Sequence, residues 1–436
     1  MPHFRLLSIV FFLSAQVALH LPPLSAQEDQ AIPFGKVLKE IRIEGARFTD
    51  LDIITRELHS KVGQPYLEHN AARDFNQLDK LDIFSQIIFN PVENDDGVIL
   101  EIKLKEIYPY LPFIAYEVTD ENGLSIGLGL QSVSLGGRDI FLTGLGRFGG
   151  ASSISLFLEN PWFAGNHRSY TLRLDKRNRV NELDKFNEAA TEASLVLGSY
   201  LDENGRIGML LGFESIGSDS VLKTLSSNDR DNVASIGFFL GYDSRDLWSD
   251  PHRGGWAQAD VSRFGVLGTE SDFWRVNFDV RRYVPIANRH TLAFFSLATF
   301  TSGALGEDFA TWQDFSIGGT NSVRGSDIDA RRGKNQYLGT AEYRYTLVKP
   351  RVLTFPFGLA FDIGLQLALF GDVGTAWYAN EEFDDNFIGG YGFGLRLLVP
   401  FVNQFRFDFA FGESGTDFKV HIGAFTKAVA QRFRVR

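Results

Sequence analysis

The chain has no cysteine among its 436 residues. That excludes a disulfide framework, a thiolate metal site and a cysteine nucleophile. The same lack suits a protein that crosses an oxidising compartment before it folds. An excess of positive charge is missing too. The formal net charge is −11, and binding a phosphate backbone needs a basic face, so the composition argues against a nucleic-acid partner. Beyond the N-terminal segment, no unbroken apolar run reaches the roughly 18 residues that a transmembrane helix needs. The 8 histidines are scattered, with no His-x-x-x-His or carboxylate spacing suited to a metal. What is plentiful is glycine, at 43 residues, and phenylalanine, at 40. Mean hydropathy is nevertheless near zero. Much aromatic and apolar content without a long run points to amphipathic strands.

The first residues read as an export signal. His3 and Arg5 give a weakly basic start, Leu6 to Leu21 is apolar, and Leu24-Ser25-Ala26 offers a cleavage point before Gln27. A run of this length also fits an anchor helix. The interruptions at Ser14, Gln16 and His20, with Pro22-Pro23 after them, favour a cleaved signal over residues 1–26. A short linker, 27–35, follows.

Residues 36–107 mix strand and helix patterns. Val37 to Ile43 alternates as a strand and stops at Gly45, and Thr49-Asp50-Leu51-Asp52 has capping-box spacing for a short helix through Leu58. Leu67, Ala71, Phe75, Leu78 and Leu81 recur at helical spacing. Ser85 to Pro91 and Val98 to Leu104 read as strands joined at Asn94-Asp95-Asp96-Gly97, a hairpin signal. The expected order is β-α-α-β-β, a small α+β domain.

From 108 to 425 the pattern changes. Phe405, Phe407, Phe409 and Phe411 alternate with Arg406, Asp408 and Ala410; Tyr343, Tyr345 and Leu347 alternate with Glu342, Arg344 and Thr346. Tyr391, Phe393, Leu395 and Leu397 do the same against Gly392, Gly394 and Arg396. A strand with aromatics on one side and charges on the other lies between an apolar and a polar medium. About sixteen such segments, from 113–118 to 417–425, predict an all-β transmembrane barrel of antiparallel strands. The exception to its short links is 302–335, and residues 426–436 form a basic tail.

The long link holds the most specific string, Phe315-Ser316-Ile317-Gly318-Gly319-Thr320-Asn321-Ser322-Val323-Arg324-Gly325-Ser326-Asp327. Paired glycines, then an arginine between valine and glycine, predict a tight hairpin that presents one guanidinium. This string resembles the Val-Arg-Gly loop of the BamA/TamA (bacterial surface antigen) outer-membrane assembly superfamily. Its members have sixteen-stranded barrels behind periplasmic polypeptide-transport-associated (POTRA) domains, and 36–107 fits one such domain. The resemblance implies that the loop enters the barrel and that Arg324 pairs with acidic residues of the next strands. Two residues match that role: Glu342, on the polar side of its strand, and Asp372, in the aromatic-x-Asp-x-Gly string Phe370-Gly371-Asp372-Val373-Gly374. An arginine shut into a lumen needs carboxylates to offset its desolvation, and its planar fork serves two acceptors. One departure is Ser326, where many members carry an aromatic.

The final strand, with Phe418, Val420, Ile422 and Phe425, resembles the alternating signal by which outer-membrane proteins are recognised for insertion. In the family the seam between first and last strands acts as a lateral gate, and Gly127, Gly129, Gly136 and Gly137 are expected to weaken it. Other signals carry little. Gly123-Leu124-Ser125-Ile126-Gly127 matches a hydrolase string but has no helix after its serine. Asp250-Pro251, with Arg253-Gly254-Gly255, reads as a plain turn. Trp274, Trp312, Trp377 and Tyr391 are candidates for an interfacial belt, and Trp312 alternatively packs under the long loop.

The resemblance implies a non-enzymatic factor, without cofactor, that inserts or translocates polypeptides at the bacterial outer membrane with its small domain in the periplasm. Its partners would be outer-membrane lipid, nascent β-barrel or exported polypeptides, and periplasmic accessory proteins. The alternatives are a dedicated secretion pore of the two-partner type and a passive structural channel.

Overall fold

Successive residues of a strand point to opposite faces, so a strand between water and hydrocarbon carries two compositions at once. The computed structural model describes residues 32–119, 122–163, 168–202, 204–220, 223–247, 250–354, 360–381, 383, 387–398, 404–412 and 419–425. The expected signal (1–26), most of the linker and the tail (426–436) lie outside them.

The small unit runs β1 (Leu38–Glu44), α1 (Leu51–Glu57), α2 (Glu68–Lys80), β2 (Phe84–Asn94) and β3 (Gly97–Glu106). β3 is central, parallel to β1 and antiparallel to β2. Its Val98, Leu100, Ile102 and Leu104 are buried under Ile53, Ile54, Leu58, Leu78 and Leu81. The expected capping box at Thr49 does not form: Asp50 is the N-cap, and no side chain caps the helix. Instead, the N–H groups of Arg47, Phe48 and Thr49 donate to the Glu106 carboxylate at 2.6, 2.8 and 2.7 Å. A remote carboxylate holds this turn, so its own side chains need not.

The second unit contains β4 (Tyr110–Thr119), β5 (Gly123–Ser132), β6 (Phe141–Gly149), β7 (Ser152–Phe163), β8 (Arg168–Val180) and β9 (Asn187–Tyr200). It continues with β10 (Gly205–Ser218), β11 (Arg230–Asp243), β12 (Gly254–Phe264), β13 (Phe273–Ala287) and β14 (His290–Thr301). A small hairpin, β15 (Phe315–Ile317) and β16 (Arg331–Gly333), then interrupts the series. β17 (Asn335–Thr354), β18 (Ala360–Trp377), β19 (Ile388–Leu398), β20 (Gln404–Gly412) and β21 (Lys419–Phe425) complete it. Apart from the β15–β16 hairpin, these strands form one 16-stranded sheet in sequence order, and β14 pairs directly with β17. Each segment expected from alternation is one of its strands. β4 and β21 end the sheet and share no ladder among the described residues.

The outer face is hydrocarbon: Ile114, Leu124, Leu128, Phe238, Leu240, Phe278, Leu369 and Phe393 are all exposed. A water-soluble surface does not carry so continuous an apolar band. The inner face buries Asp260, Asp279, Glu342, Arg396 and Asp408. Trp274 and Tyr391 face outward, as belt residues do, but Trp377 is buried against Phe300 and Phe383. Trp312 lies in the long loop, where its ring N–H donates to Asp231 at 3.0 Å.

Links between up-and-down strands alternate between two ends. The small unit sits at the end of the β5–β6 link. The Asp50 N–H donates to the Gly137 carbonyl at 3.0 Å, Arg56 pairs with Asp139 at 3.3 Å, and its guanidinium lies 4.3 Å from the Trp162 ring. Val133, Phe141 and Phe157 join the small unit's own core. Burial at this mouth pushes the Lys80 ammonium below its usual value, against the pull of Asp243. By parity the 302–334 loop leaves from the opposite end. Asp250 corrects the reading of a plain turn: it is buried, and Gln366 of β18 donates to it at 2.6 Å. The four glycines lie near the first strands, Gly127 and Gly129 in β5 and the other two in the turn after it. Gly129 makes room for the Phe113 ring, which stands 2.2 Å from where a Cβ would be.

Candidate functional site

Three neighbouring residues of the 302–334 loop each meet a different part of the barrel wall. Val323 is fully buried beside Ile317, Leu338, Ala376 and Ile388. Gly325 has φ +92°, and a Cβ there would stand 2.6 Å from the Phe411 backbone. From the other side, a Cβ on Gly390 would stand 1.9 Å from the Arg324 carbonyl oxygen. Only glycine lets the loop backbone lie this close to β19 and β20.

Between them Arg324 is 3 % exposed. Its Nε and Nη2 donate to the two Asp372 oxygens at 2.7 and 2.8 Å, and its backbone N–H to Asp372 at 3.1 Å. Nη1 reaches Asp408 at 3.1 Å and Glu342 at 3.4 Å. One face of the guanidinium lies 3.4 Å from the centre of the Phe370 ring, a stacking that suits a flat, weakly hydrated cation. Thr340 donates to Asp372 at 2.9 Å. Arg396 of β19 joins Glu342 at 2.8 Å and also pairs with Asp408. Arg344 donates to the other Glu342 oxygen at 2.8 Å, and Arg406 donates to the Thr320 carbonyl at 2.9 Å. Three carboxylates and four arginines thus interlock across β17 to β20. Each buried carboxylate has at least two cationic or hydroxyl donors, the condition under which buried charge is tolerated.

The structure brings Val323, Arg324, Gly325, Glu342 and Asp372 together. Sequence reasoning missed Asp408 and Arg396. The signal was present: both are charges at inward positions between outward aromatic and aliphatic residues. Ser326 is buried; its backbone N–H donates to the Val323 carbonyl and its carbonyl accepts the Gly319 N–H. Of the expected insertion strand, Phe418 lies outside the described residues. Val420, Ile422 and Phe425 are in β21, in register with Phe409, Phe407 and Gln404. Ser125 is buried in β5 and accepts the Ala151 N–H at 2.9 Å.

Two further contacts tether the loop. Arg275 of β13 donates to the Gln313 carbonyl at 2.7 Å and stacks on Phe315. Arg332 bridges Asp184 of the β8–β9 link at 3.0 Å and Asp314 at 2.8 Å, and Tyr378 donates to Asp314 at 2.5 Å. Burial would raise the Asp184 carboxyl, but hydrogen bonds from Arg332 and Lys223 outweigh it and hold it below the usual range. Among the described residues no group of three His, Asp or Glu is arranged to hold a metal.

A family model described as the Omp85 superfamily domain matches residues 123–426. The chain belongs to the Omp85 superfamily. A second model, POTRA, described as the surface antigen variable number repeat, matches residues 37–107, so this Omp85 member is a short one with a single matched POTRA domain. Among solved structures it is similar to BamA from Haemophilus ducreyi lacking POTRA domains 1–3, at 17% identity and TM-score 0.56, covering 88% of this chain and 83% of that one. It is also similar to CdiB from Escherichia coli, at 15% identity and TM-score 0.56, covering 90% and 75%. CdiB from Acinetobacter baumannii follows at 14% identity and TM-score 0.50, covering 87% and 70%. No curated protein sequence matches significantly. The Omp85 fold with a POTRA domain points to the bacterial outer membrane, in a family of assembly and transport factors rather than enzymes.

Proposed function

We propose that this Omp85 protein inserts or translocates polypeptides at the outer membrane, receiving them on its small domain and passing them to the barrel. The observation that carries the reading is the loop lock. A 302–334 loop packed by Val323, caged at Arg324 and pressed to backbone at Gly325 occupies lumen that an open channel leaves free. The small domain belongs on the periplasmic side, where a chain arriving from the cell interior meets it first. The exposed backbone of β2, at the edge of its sheet, suits capture by strand addition. The unladdered ends β4 and β21 then give a client strand somewhere to pair. Arg324, Glu342 and Asp372, with Asp408 and Arg396, act as positioning residues that hold the loop; no covalent step is assigned to them. Residues 1–26 serve as the export signal and β21 as the barrel's own insertion signal.

The test is reconstitution of the full chain into phospholipid vesicles, followed by the folding rate of an added small barrel protein, read as its heat-modifiable fraction. The proposal requires acceleration over empty vesicles. No acceleration, together with stable open steps in planar-bilayer conductance, would replace it with the secretion-pore reading.

A further inference from the structure

The outer wall carries a site unrelated to polypeptide handling. Between the outward side chains of β14, β17, β18 and β19 lies a groove of about 530 Å³, lined by Leu367, Leu369, Phe393, His290, Tyr343 and Tyr345. Its volume falls in the range of about 300–1,000 Å³ usual for small-molecule sites. His290 Nδ1 and the Tyr343 hydroxyl stand 2.6 Å apart, and the His290 and Tyr345 rings lie 4.8 Å apart. The Tyr343 hydroxyl is thereby engaged, and the surface left to a ligand is mainly hydrocarbon. His290 begins β14, so the groove sits at the end of the wall that carries the small domain.

Two cations lie at this end of the groove. Arg289 immediately precedes His290, and its carbonyl accepts the Thr346 N–H at 2.9 Å, beside Tyr345. Lys349 follows three residues later on β17. Both side chains are exposed. Neither has an ion-pair partner among the described residues, whereas the inward arginines nearby do: Arg281 with Asp279 at 2.5 Å and Arg344 with Glu342 at 2.8 Å. Arg289 also adopts φ +68°, a conformation that favours glycine or asparagine. An arginine kept at such a turn, beside an apolar groove and with no carboxylate to pair with, is placed for an anion at the edge of hydrocarbon.

We propose that this groove seats an acyl chain of one anionic phospholipid from the leaflet on the small domain's side, with its phosphate met by Arg289 and Lys349. A solvated cationic rim alone does not account for the groove, and an aromatic belt alone does not account for the unpaired cations. The inference goes beyond the assembly reading: it needs only that the wall stand in a bilayer, and it survives if the barrel proves to be a pore.

The experiment places the full chain in nanodiscs of phosphatidylcholine with a minor share of phosphatidylglycerol. The protein is then extracted in mild detergent, and retained lipid is read by native mass spectrometry. The expected result is one retained phosphatidylglycerol per chain, enriched several-fold over its share in the disc. Arg289→Glu with Lys349→Glu should abolish that enrichment while heat-modifiable migration stays normal. Leu369→Trp, which fills the groove and leaves the cations in place, should abolish it too. If the charge variant fails to fold, the wild type decides: enrichment must fall as salt rises, since screening weakens exposed charge contacts. Equal retention of phosphatidylcholine, unchanged retention in either folded variant, or enrichment indifferent to salt would overturn the proposal.

Discussion

The wall built by β17 to β20 and the wall built by β4 to β6 belong to one sheet, yet they are made differently. In the first, inward positions carry Glu342, Arg344, Asp372, Arg396 and Asp408, joined to each other and to Arg324 of the loop. The β17–β18 ladder runs from Asn335↔Trp377 to Thr354↔Ala360. In the second, the inward face of β5 holds Ser125, Gly127 and Gly129, and the β5–β6 ladder spans only Ser125↔Gly149 to Ser132↔Leu142. Gln131 is buried on the same face, the Phe113 ring lies over Gly129, and β4 has no ladder to β21 among the described residues. The barrel therefore pairs a wall cross-braced by charges, which keeps the loop in register, with a wall whose inward face has no such network among the described residues.

This contrast can be broken at graded strength. Arg324→Ala leaves Asp372, Asp408 and Glu342 buried with fewer cations, and breaking a buried pair costs about 3–5 kcal/mol. Urea titration of the heat-modifiable form should show a loss of that size, and Arg324→Lys should recover only part of it, because an ammonium lacks the planar fork. Gly390→Ala should cost about 1–3 kcal/mol, since its Cβ would stand 1.9 Å from the Arg324 carbonyl oxygen. Arg332→Ala removes a cation from two buried carboxylates and should cost about 1–3 kcal/mol, and limited proteolysis should show faster cleavage within 302–334. The pH dependence of that tether has a fixed sign. The folded Asp184 value is depressed, so its contribution is present above the ordinary aspartate value of 3.8 and is lost as pH falls through the lower, folded one. Cleavage of the wild-type loop should therefore not change on that account between neutral pH and pH 5. Smallest of all is Gly144→Ala in β6, where an added Cβ meets nothing within 4 Å. Its urea midpoint should match the wild type. A loss as large as that of Gly390→Ala would erase the distinction between the two walls.

Much of this was legible in the sequence because a membrane wall imposes two media on every strand. Phe405, Phe407, Phe409 and Phe411 mark an outer face through spacing alone, and Val323-Arg324-Gly325 is specific enough to direct attention to Glu342 and Asp372. The rest depended on distance between strands. Asp408 and Arg396 look like ordinary lumen charges until the register sets Gly394 against Asp408 and Arg396 against Arg406. Asp250 reads as a turn residue because its partner, Gln366, is 116 residues away. Thr49 has a capping signature, but Glu106, supplied by another strand, takes the donors around it. Trp377 has belt chemistry, yet neighbouring aromatic side chains bury it. Local pattern gives the faces of strands, and tertiary pairing decides which charges meet.

The central claim is that the loop is held by a direct bond between Arg324 and Asp372 of β18, and a double-mutant cycle tests it most directly. Urea unfolding would be measured for Arg324→Ala, Asp372→Ala and the pair together. The bidentate contact at 2.7 and 2.8 Å predicts strong coupling. The double variant should be less destabilised than the sum of the singles, by an amount within about 0.5–3 kcal/mol. Additive losses would contradict the account and leave Arg324 a residue that merely resides in the lumen.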